Sequence, residues 1–241
     1  MRTFPLLLIL PAMACTTVES NFNELIPATG ITEVTAQIDS GDLSYRGAPR
    51  DTFAVDGRSW GMSTQVENAE RNYSSNHWNV DSTPTSLLIQ SQSDYNWAGV
   101  DFDIDGPEQM NTFIETGDGL VKLQDMVGYH TVTASKITTD NLHGSVNFLA
   151  TNGSSDIEIY PTAFDTIRIE ALDGDVTLRL PWGQPYDLQV WGDPEYGMSI
   201  ENLGFYHEVT GPAYFAATSG PATLRVDVYV TGGSFTLLEA W

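Results

Sequence analysis

The stretch IEALDGDVTLRLP (residues 169–181) decides the fold of this chain, because it joins two alternating apolar runs through a small polar turn. The same pattern occurs in IDSGDLSY (residues 38–45), IETGDGLVKL (residues 114–123) and LATNGSSDIEI (residues 149–159). A unit so short can bury its apolar face only by stacking on its neighbours. The sequence therefore predicts a repeat protein.

Apolar and polar residues alternate through these units, and a period of two sends one set of side chains inward and the other to solvent. The inward set includes Val146, Phe148, Ala150, Ile167, Ile169, Ala171, Val176, Leu178 and Leu180. Strand starts at Phe113, Val132, Val146, Ile167 and Leu188 are 19, 14, 21 and 21 residues apart. These spacings suit the coils of a β-solenoid, so we predict an all-β, single-domain β-solenoid with Gly-Asp corners.

The composition limits the partners of the chain. Its 241 residues include 10 Lys and Arg against 32 Asp and Glu, a formal charge of −22. Because nucleic-acid affinity depends on cations that neutralise phosphates, nucleic acid is excluded as a partner. Hydrophobic residues make up 41% and aromatic residues 11%, which is too apolar for a disordered acidic chain.

The N-terminus has the features of an export signal. One charge, Arg2, precedes the apolar run FPLLLILPAM (residues 4–13), which is too short to span a membrane. A small-x-small pattern at residues 12–14 precedes Cys15, the only cysteine. Cys15 resembles the modified cysteine of a bacterial lipoprotein, and an ordinary signal peptide cleaved at the same bond is the alternative. We predict a signal peptide at 1–14, a flexible lipid-anchored tether at 15–29 and the β-solenoid at 30–241.

Two stretches interrupt the repeat, an insertion at 57–98 and an irregular region at 190–221. Helical periodicity is weak throughout, and residues 63–72 carry too few apolar side chains for a buried helical stripe. Long insertions are tolerated in solenoid turns. The alternating segment 222–238 is predicted to be the closing hairpin or final coil that protects an open edge.

Three groups of residues are candidates for metal binding, catalysis or ligand binding. Asp101, Asp103, Asp105 and Gly106 spell the opening of an EF-hand loop, but Thr112 stands where that loop needs a bidentate Glu, so a strand with exposed carboxylates is favoured. Calcium-dependent folding through such carboxylates stays an alternative. The four histidines are scattered and no nucleophile elbow occurs, so we predict no catalytic residues, no metal site, no cofactor and no enzyme.

Aromatic residues of the insertion are the predicted binding residues. Trp60, Trp78 and Trp97 are interleaved with Asn, Asp and Ser, and such flat rings can stack on sugars or anchor a protein partner. The alternative is that the three tryptophans cap one end of the solenoid. Both interpretations are open at the level of sequence.

From residue 100 onward the order of elements resembles the "putative adhesin" family of bacterial envelope proteins, which is related to autotransporter adhesin heads. The resemblance rests on VDFDIDGP (100–107), IETGDGLVKL, TVTASKITTDNLHG (131–144), SVNFLATNGSSDIEI (145–159) and IRIEALDGDVTLRLP (167–181), with VTAQIDSGDLSY (34–45) similar to the family's first unit. It implies a β-solenoid that is often tethered to a membrane and has no established enzymatic activity.

The sequence therefore predicts an exported, non-enzymatic lipoprotein of the cell envelope that uses an acidic surface for adhesion or scaffolding. The membrane is the expected partner through Cys15, together with an envelope protein or a glycan. Because Thr16 follows Cys15 where a retention signal would have Asp, the outer membrane is the expected location. The alternative is a carbohydrate-binding module or a carbohydrate-active enzyme on a β-helix scaffold.

Overall fold

The computed structural model describes residues 15–240, so the predicted signal peptide lies outside the described residues. Strands hold 65% of the chain and helix 4%, which confirms the all-β class in a single domain. The elements are β1 (Thr16–Pro27), β2 (Glu33–Ser40), β3 (Leu43–Ala48), β4 (Thr52–Ser63), α1 (Val66–Ser74), β5 (His77–Ser82), β6 (Ser86–Gln92), β7 (Ala98–Pro107), β8 (Asn111–Asp118), β9 (Leu120–Ala134), β10 (Lys136–Ala150), β11 (Ser155–Ile159), β12 (Thr166–Ala171), β13 (Val176–Leu180), β14 (Tyr186–Trp191), β15 (Met198–Ile200), β16 (His207–Gly211), β17 (Tyr214–Thr218), β18 (Leu224–Val230) and β19 (Phe235–Glu239).

All nineteen strands form one large mixed sheet that is arranged in two layers. The first layer has the order β5-β6-β2-β8-β9-β10-β12-β18-β14-β17-β16. The second has the order β1-β4-β7-β3-β9-β10-β11-β13-β19-β15. The long strands β9 and β10 take part in both layers. Inward side chains of both layers form one core, and the apolar positions predicted from the alternation are buried in it.

The pairing between strands is parallel through the middle of each layer and antiparallel near both ends of the first layer and at the β1 end of the second, whereas β15 pairs with β19 in parallel. Strands β18 and β19 lie between β12 and β14 and between β13 and β15, respectively, so the segment 222–238 is not the closing element that we predicted. At the other end, β2 and β3 are flanked by β6 and β7, which follow them in sequence. The irregular regions supply the outermost strands β5, β16 and β15, the N-terminal segment supplies the outermost strand β1, and the first and last regular segments lie inside.

The insertion 57–98 is largely regular. Strand β4 continues through it as an antiparallel partner of β7, β5 pairs with β6, and α1 packs against β4. The helix contradicts the expectation for residues 63–72. It has only Ala69 and Asn72 buried, and it approaches the strand at Gly61, where a Cβ atom would lie 2.2 Å from the backbone nitrogen of Tyr73. Close backbone contact therefore replaces the apolar stripe. No helix among the described residues is long and apolar enough to cross a membrane.

The tether predicted at 15–29 is mostly a strand. Strand β1 pairs with β4 along its whole length, from Thr16 opposite Ser63 to Pro27 opposite Thr52. The side chain of Phe22 packs over Gly57, where a Cβ atom would lie 1.8 Å from the ring. The expected flexible spacer is therefore wrong for residues 16–27, because backbone pairing and the contact of a partly buried ring order them.

The glycine-aspartate turns are stacked corners. A Cβ atom on Gly174 would lie 2.5 Å from the backbone of Gly153, and one on Gly233 would lie 2.1 Å from the carbonyl oxygen of Gly174. The carboxylate of Asp175 accepts hydrogen bonds of 2.8 and 2.7 Å from the backbone N–H and hydroxyl of Ser234, which lower the pKa of Asp175. Glycine leaves room for the next turn and aspartate binds it, so this motif is architectural here.

Candidate functional site

The structure places the three predicted binding tryptophans in different surroundings. The ring of Trp78 stacks on Phe22 with 3.6 Å between centroids. The indole Nε1–H of Trp60 donates a 3.1 Å hydrogen bond to Asp101 Oδ1. Trp97 is 64% exposed in the turn before β7. Two of the three rings are therefore engaged in contacts within the domain.

The tryptophans do not line one common groove. Trp78 borders a depression of about 620 Å³ with His77 and Gln92. Trp97 borders another of about 430 Å³ with Arg71. Trp60 lines neither depression. A shared ligand site of Trp60, Trp78 and Trp97 stays a prediction, and the stacking of Trp78 on Phe22 favours the capping interpretation for that ring.

The three aspartates of β7 point outward, and two of them, Asp101 and Asp105, are bound by arginines. Arg58 donates to Asp101 at 2.6 Å, and Arg46 donates to Asp105 at 2.9 and 3.0 Å. Asp103 is exposed and lies directly opposite Asp56 on β4. Among the described residues, no group of three or more His, Cys, Asp or Glu side chains is arranged to hold a metal ion. The DxDxDG sequence is thus a strand, as its alternation predicts.

The regular coils carry a groove on the outside of the first layer, which we call the outer groove. It has a volume of about 640 Å³, within the usual range for small-ligand sites. Its outward lining residues come from β9, β10 and β12 and are Tyr129, Thr131, Thr133, Asn147, Leu149, Thr166, Arg168 and Glu170. The strand register fixes their spacing, with Thr131 opposite Asn147 and Asn147 opposite Arg168. The floor is mostly neutral and polar.

One wall of the outer groove is formed by Arg168 and three aromatic rings next to it, and these four residues come from four strands. The guanidinium of Arg168 lies 5.5 Å from the ring centroid of Tyr229 and donates a 3.0 Å hydrogen bond to Glu170. Tyr229 stacks on Trp191 at 4.4 Å with an angle of 1° between the rings, and Trp191 lies 5.6 Å from Tyr214. We call Arg168, Tyr229, Trp191 and Tyr214 the aromatic ladder. Because Tyr229 stacks on Trp191 and lies beside the guanidinium, the ladder holds Arg168 in place.

A buried histidine lies beneath the groove. His130, between Tyr129 and Thr131 on β9, is fully buried, and its Nδ1 is 3.1 Å from Thr112 Oγ1. Its Nε2 is buried with no hydrogen-bond partner among the described residues. Desolvation lowers the pKa of His130 to about 4, despite an opposing backbone hydrogen bond involving His143. The imidazole is therefore neutral at physiological pH.

Sequence reasoning missed the outer groove and the aromatic ladder. The ladder residues come from β12, β14, β17 and β18, and only the strand order brings them together. One signal was present in the sequence: Trp191, Tyr214 and Tyr229 each stand next to an inward apolar residue of an alternating strand. Their outward position followed from that alternation, but their proximity did not.

The fold resembles that of solved structures. A "putative cell adhesion protein" from Clostridium sporogenes is 10% identical, with a TM-score of 0.50 over 92% of this chain and 100% of that chain. A "putative adhesin" from Parabacteroides merdae is 9% identical, with a TM-score of 0.26 over 90% and 96% of the two chains. No protein-family model and no curated protein matches the chain. The likeness to the Clostridium protein extends over nearly the whole chain and shows a shared fold.

Proposed function

We propose that this protein is a non-enzymatic lipoprotein of the cell envelope, whose acidic β-solenoid presents a surface for adhesion or scaffolding. The proposal rests on the position of Cys15 at one end of the second layer. Exposed Cys15 directly precedes β1, the outermost strand at one end of the second layer, and β15 is outermost at the other end. At about 4.8 Å between strands, the far end of this layer is about 43 Å from the anchor.

Two further observations support a solenoid that presents surface. Consecutive coils pair in parallel, β9 with β10 at an offset of 16 residues and β10 with β12 at an offset of 21 residues, and their corners stack on glycine. The protein with which the chain shares its fold is described as a putative cell adhesion protein. In this proposal the repeated coils are the scaffold and their outer faces provide the contacts.

The end of the layers far from Cys15 carries exposed aromatic side chains. Tyr206, before the outermost strand β16, is 76% exposed, and Tyr196, before β15, is 55% exposed. Trp182, in the turn after β13, is 63% exposed. Exposed aromatic residues are common in binding surfaces. Their distance from the anchor fits a surface that meets a partner away from the membrane.

The anchor is tested by replacing Cys15 with Ser and following the protein in membrane and soluble fractions. We expect Cys15→Ser to move the protein to the soluble fraction, because stable anchoring requires the lipid chains that the thiol would carry. Ser63→Ala is the matched control, since only the backbone carbonyl of Ser63 contacts the Cys15 sulfur, at 3.5 Å. Unchanged membrane association of Cys15→Ser would refute the anchor.

Presentation at the cell surface is tested separately with a membrane-impermeant, amine-reactive label on intact cells. Lys136, at the start of β10, is exposed and provides a reactive amine. We expect labelling of intact cells for the native chain and its loss after Lys136→Arg if this amine is the main target. Labelling only after lysis would contradict display on the outer surface of the outer membrane. It would be consistent with a scaffold in the periplasm.

A second candidate function is carbohydrate binding. It is favoured by the outer groove, whose floor of threonine and asparagine side chains lies between Tyr129 and Arg168.

A further inference from the structure

We infer that the outer groove binds a neutral oligosaccharide. This inference names a ligand class for the surface that the proposed function presents, and it rests on that proposal for its biological setting. The binding chemistry itself depends only on the side chains of the groove.

The floor of the groove matches the hydrogen-bonding pattern of a sugar. Thr131 and Thr133 project hydroxyl groups from β9, and Asn147 projects an amide from β10. Hydroxyl and amide groups both donate and accept hydrogen bonds, as sugar hydroxyls do. Leu149 is the apolar outward residue of this floor, so a lipid chain or an apolar helix would leave most of these polar groups unpaired.

One ring is available to stack on a sugar. Tyr129 is 43% exposed at the groove, and its ring lies 6.1 Å from that of Phe113 at a tilt of 52°. Because of this tilt, the ring of Phe113 does not stack face to face on Tyr129. The rings of Tyr229 and Trp191, by contrast, stack closely on each other. The apolar C–H face of a pyranose can pack on such a ring, while its hydroxyls reach the polar floor.

The charge of the groove selects a neutral ligand. Arg168 and Glu170 are its charged residues, and they are paired with each other, so the groove is locally neutral. The whole chain carries a formal charge of −22, which repels an acidic polysaccharide. A neutral sugar can bind the exposed edges of the Arg168–Glu170 pair without breaking it.

An unpartnered carboxylate oxygen lies beside the same wall. Asp227, opposite Arg168 in the strand register, is 7% exposed, and its Oδ2 accepts a 2.7 Å hydrogen bond from Arg225. Its Oδ1 is buried and has no hydrogen-bond partner among the described residues. Leaving such a group unpaired is costly.

The aromatic ladder makes the wall rigid before any ligand arrives. Arg168 is held between Glu170 and the ring of Tyr229, and Tyr229 is held by Trp191. Because side-chain ordering opposes binding, a wall that is already ordered favours affinity for a small ligand.

The test is isothermal titration calorimetry of the purified chain with cellohexaose, maltohexaose, mannohexaose and xylohexaose, and with an oligogalacturonate as the acidic counterpart. The variants are Tyr129→Ala, which removes the ring, and Asn147→Arg, which places a long side chain on the floor. Tyr95→Ala is the matched control, because it removes a tyrosine ring of similar exposure, 41% against 43%, outside the groove. Thermal melts verify that each variant is folded.

We expect at least one neutral hexasaccharide to bind with a millimolar or lower Kd. Tyr129→Ala should weaken that binding roughly tenfold, Asn147→Arg should abolish it, and Tyr95→Ala should leave it unchanged. Absence of binding to all four neutral sugars, a preference for the oligogalacturonate, or binding that both groove variants leave intact would overturn the inference. Membrane release of Cys15→Ser does not depend on sugar binding, so failure here and failure of the proposed anchor can be told apart.

Discussion

His130 should make the stability of this protein depend on pH in a defined window. Burial lowers the pKa of His130 to about 4 in the folded chain, against an ordinary value of 6.5. Between these values the unfolded chain binds a proton that the folded chain does not. Stability from this residue is therefore complete above pH 6.5, falls as the pH is lowered, and reaches its full loss near pH 4.

The size of the effect follows from the same two values. At 1.36 kcal/mol for each pKa unit, the full loss is about 3 kcal/mol, of which about 2 kcal/mol should already be lost between about pH 7 and pH 5. This is a large part of the stability of a typical domain. Protonation of many carboxylates in this range also changes stability, so the histidine must be isolated by comparison between variants.

The comparison uses a double variant in which both buried polar partners are replaced. In His130→Leu with Thr112→Val, the non-titrating pair leaves no unpaired hydroxyl or ring nitrogen in the core. Thr112→Val alone is the control, because it removes the hydroxyl partner but keeps the histidine. Urea denaturation followed by circular dichroism at about pH 7 and about pH 5 gives the free energy of unfolding for each chain.

We expect the native chain and Thr112→Val to lose about 2 kcal/mol more than the double variant on going from pH 7 to pH 5. Carboxylates titrate alike in all three chains and cancel in this difference. Equal pH dependence of the native chain and the double variant would refute the reasoning, because it would mean that His130 takes up its proton as readily in the folded state as in the unfolded state.

Two further predictions concern the corners and the charged face. Gly174→Ala should destabilise the chain by about 2 to 4 kcal/mol in urea denaturation, because Gly174 has a φ of +124° and an added Cβ atom would meet the backbone of Gly153. Gly211→Ala is the control and should cost far less, since the nearest atom to its added Cβ is 3.7 Å away. Equal losses of stability in the two variants would contradict the packing of the corner. Asp103→Asn should raise the free energy of unfolding by about 0.5 kcal/mol at low salt, because it removes the charge repulsion with Asp56, which lies directly opposite. Salt screens this repulsion, so the gain should vanish at about 1 M salt. A gain that does not depend on salt would exclude charge repulsion as its cause.

The strands and their buried faces were predictable because the alternation is local. Val146, Phe148 and Ala150 are buried on β10, as a period of two requires. The helix α1 could not be predicted in this way, because its packing depends on Gly61, which lets the backbone at Tyr73 come close. Contacts of this kind leave no apolar periodicity in the sequence.

The order of the strands was not predictable from the same pattern. Strand β18 alternates as well as any other, but its place between β12 and β14 is set by pairing with residues far away in sequence. Its four inward residues, Leu224, Val226, Val228 and Val230, would have suited an interior or an edge strand equally. Local alternation fixes which side of a strand is buried, and pairing between distant segments fixes its neighbours.

The insertion helps to close one end of the two layers, and the ligand-binding role expected for its tryptophans stays a prediction. An end coil exposes both the open edge of its sheet and the end of the core. The insertion and β1 cover them together: β4 and β1 extend the second layer beyond β7, and Trp78 of the insertion stacks on Phe22 of β1, which packs against the core. In this contact Phe22 covers one face of the Trp78 ring, while the residue stays 37% exposed. The regular coils are closed by their neighbours and can leave their outer faces open, which is why the outer groove lies on β9, β10 and β12 and not on the insertion.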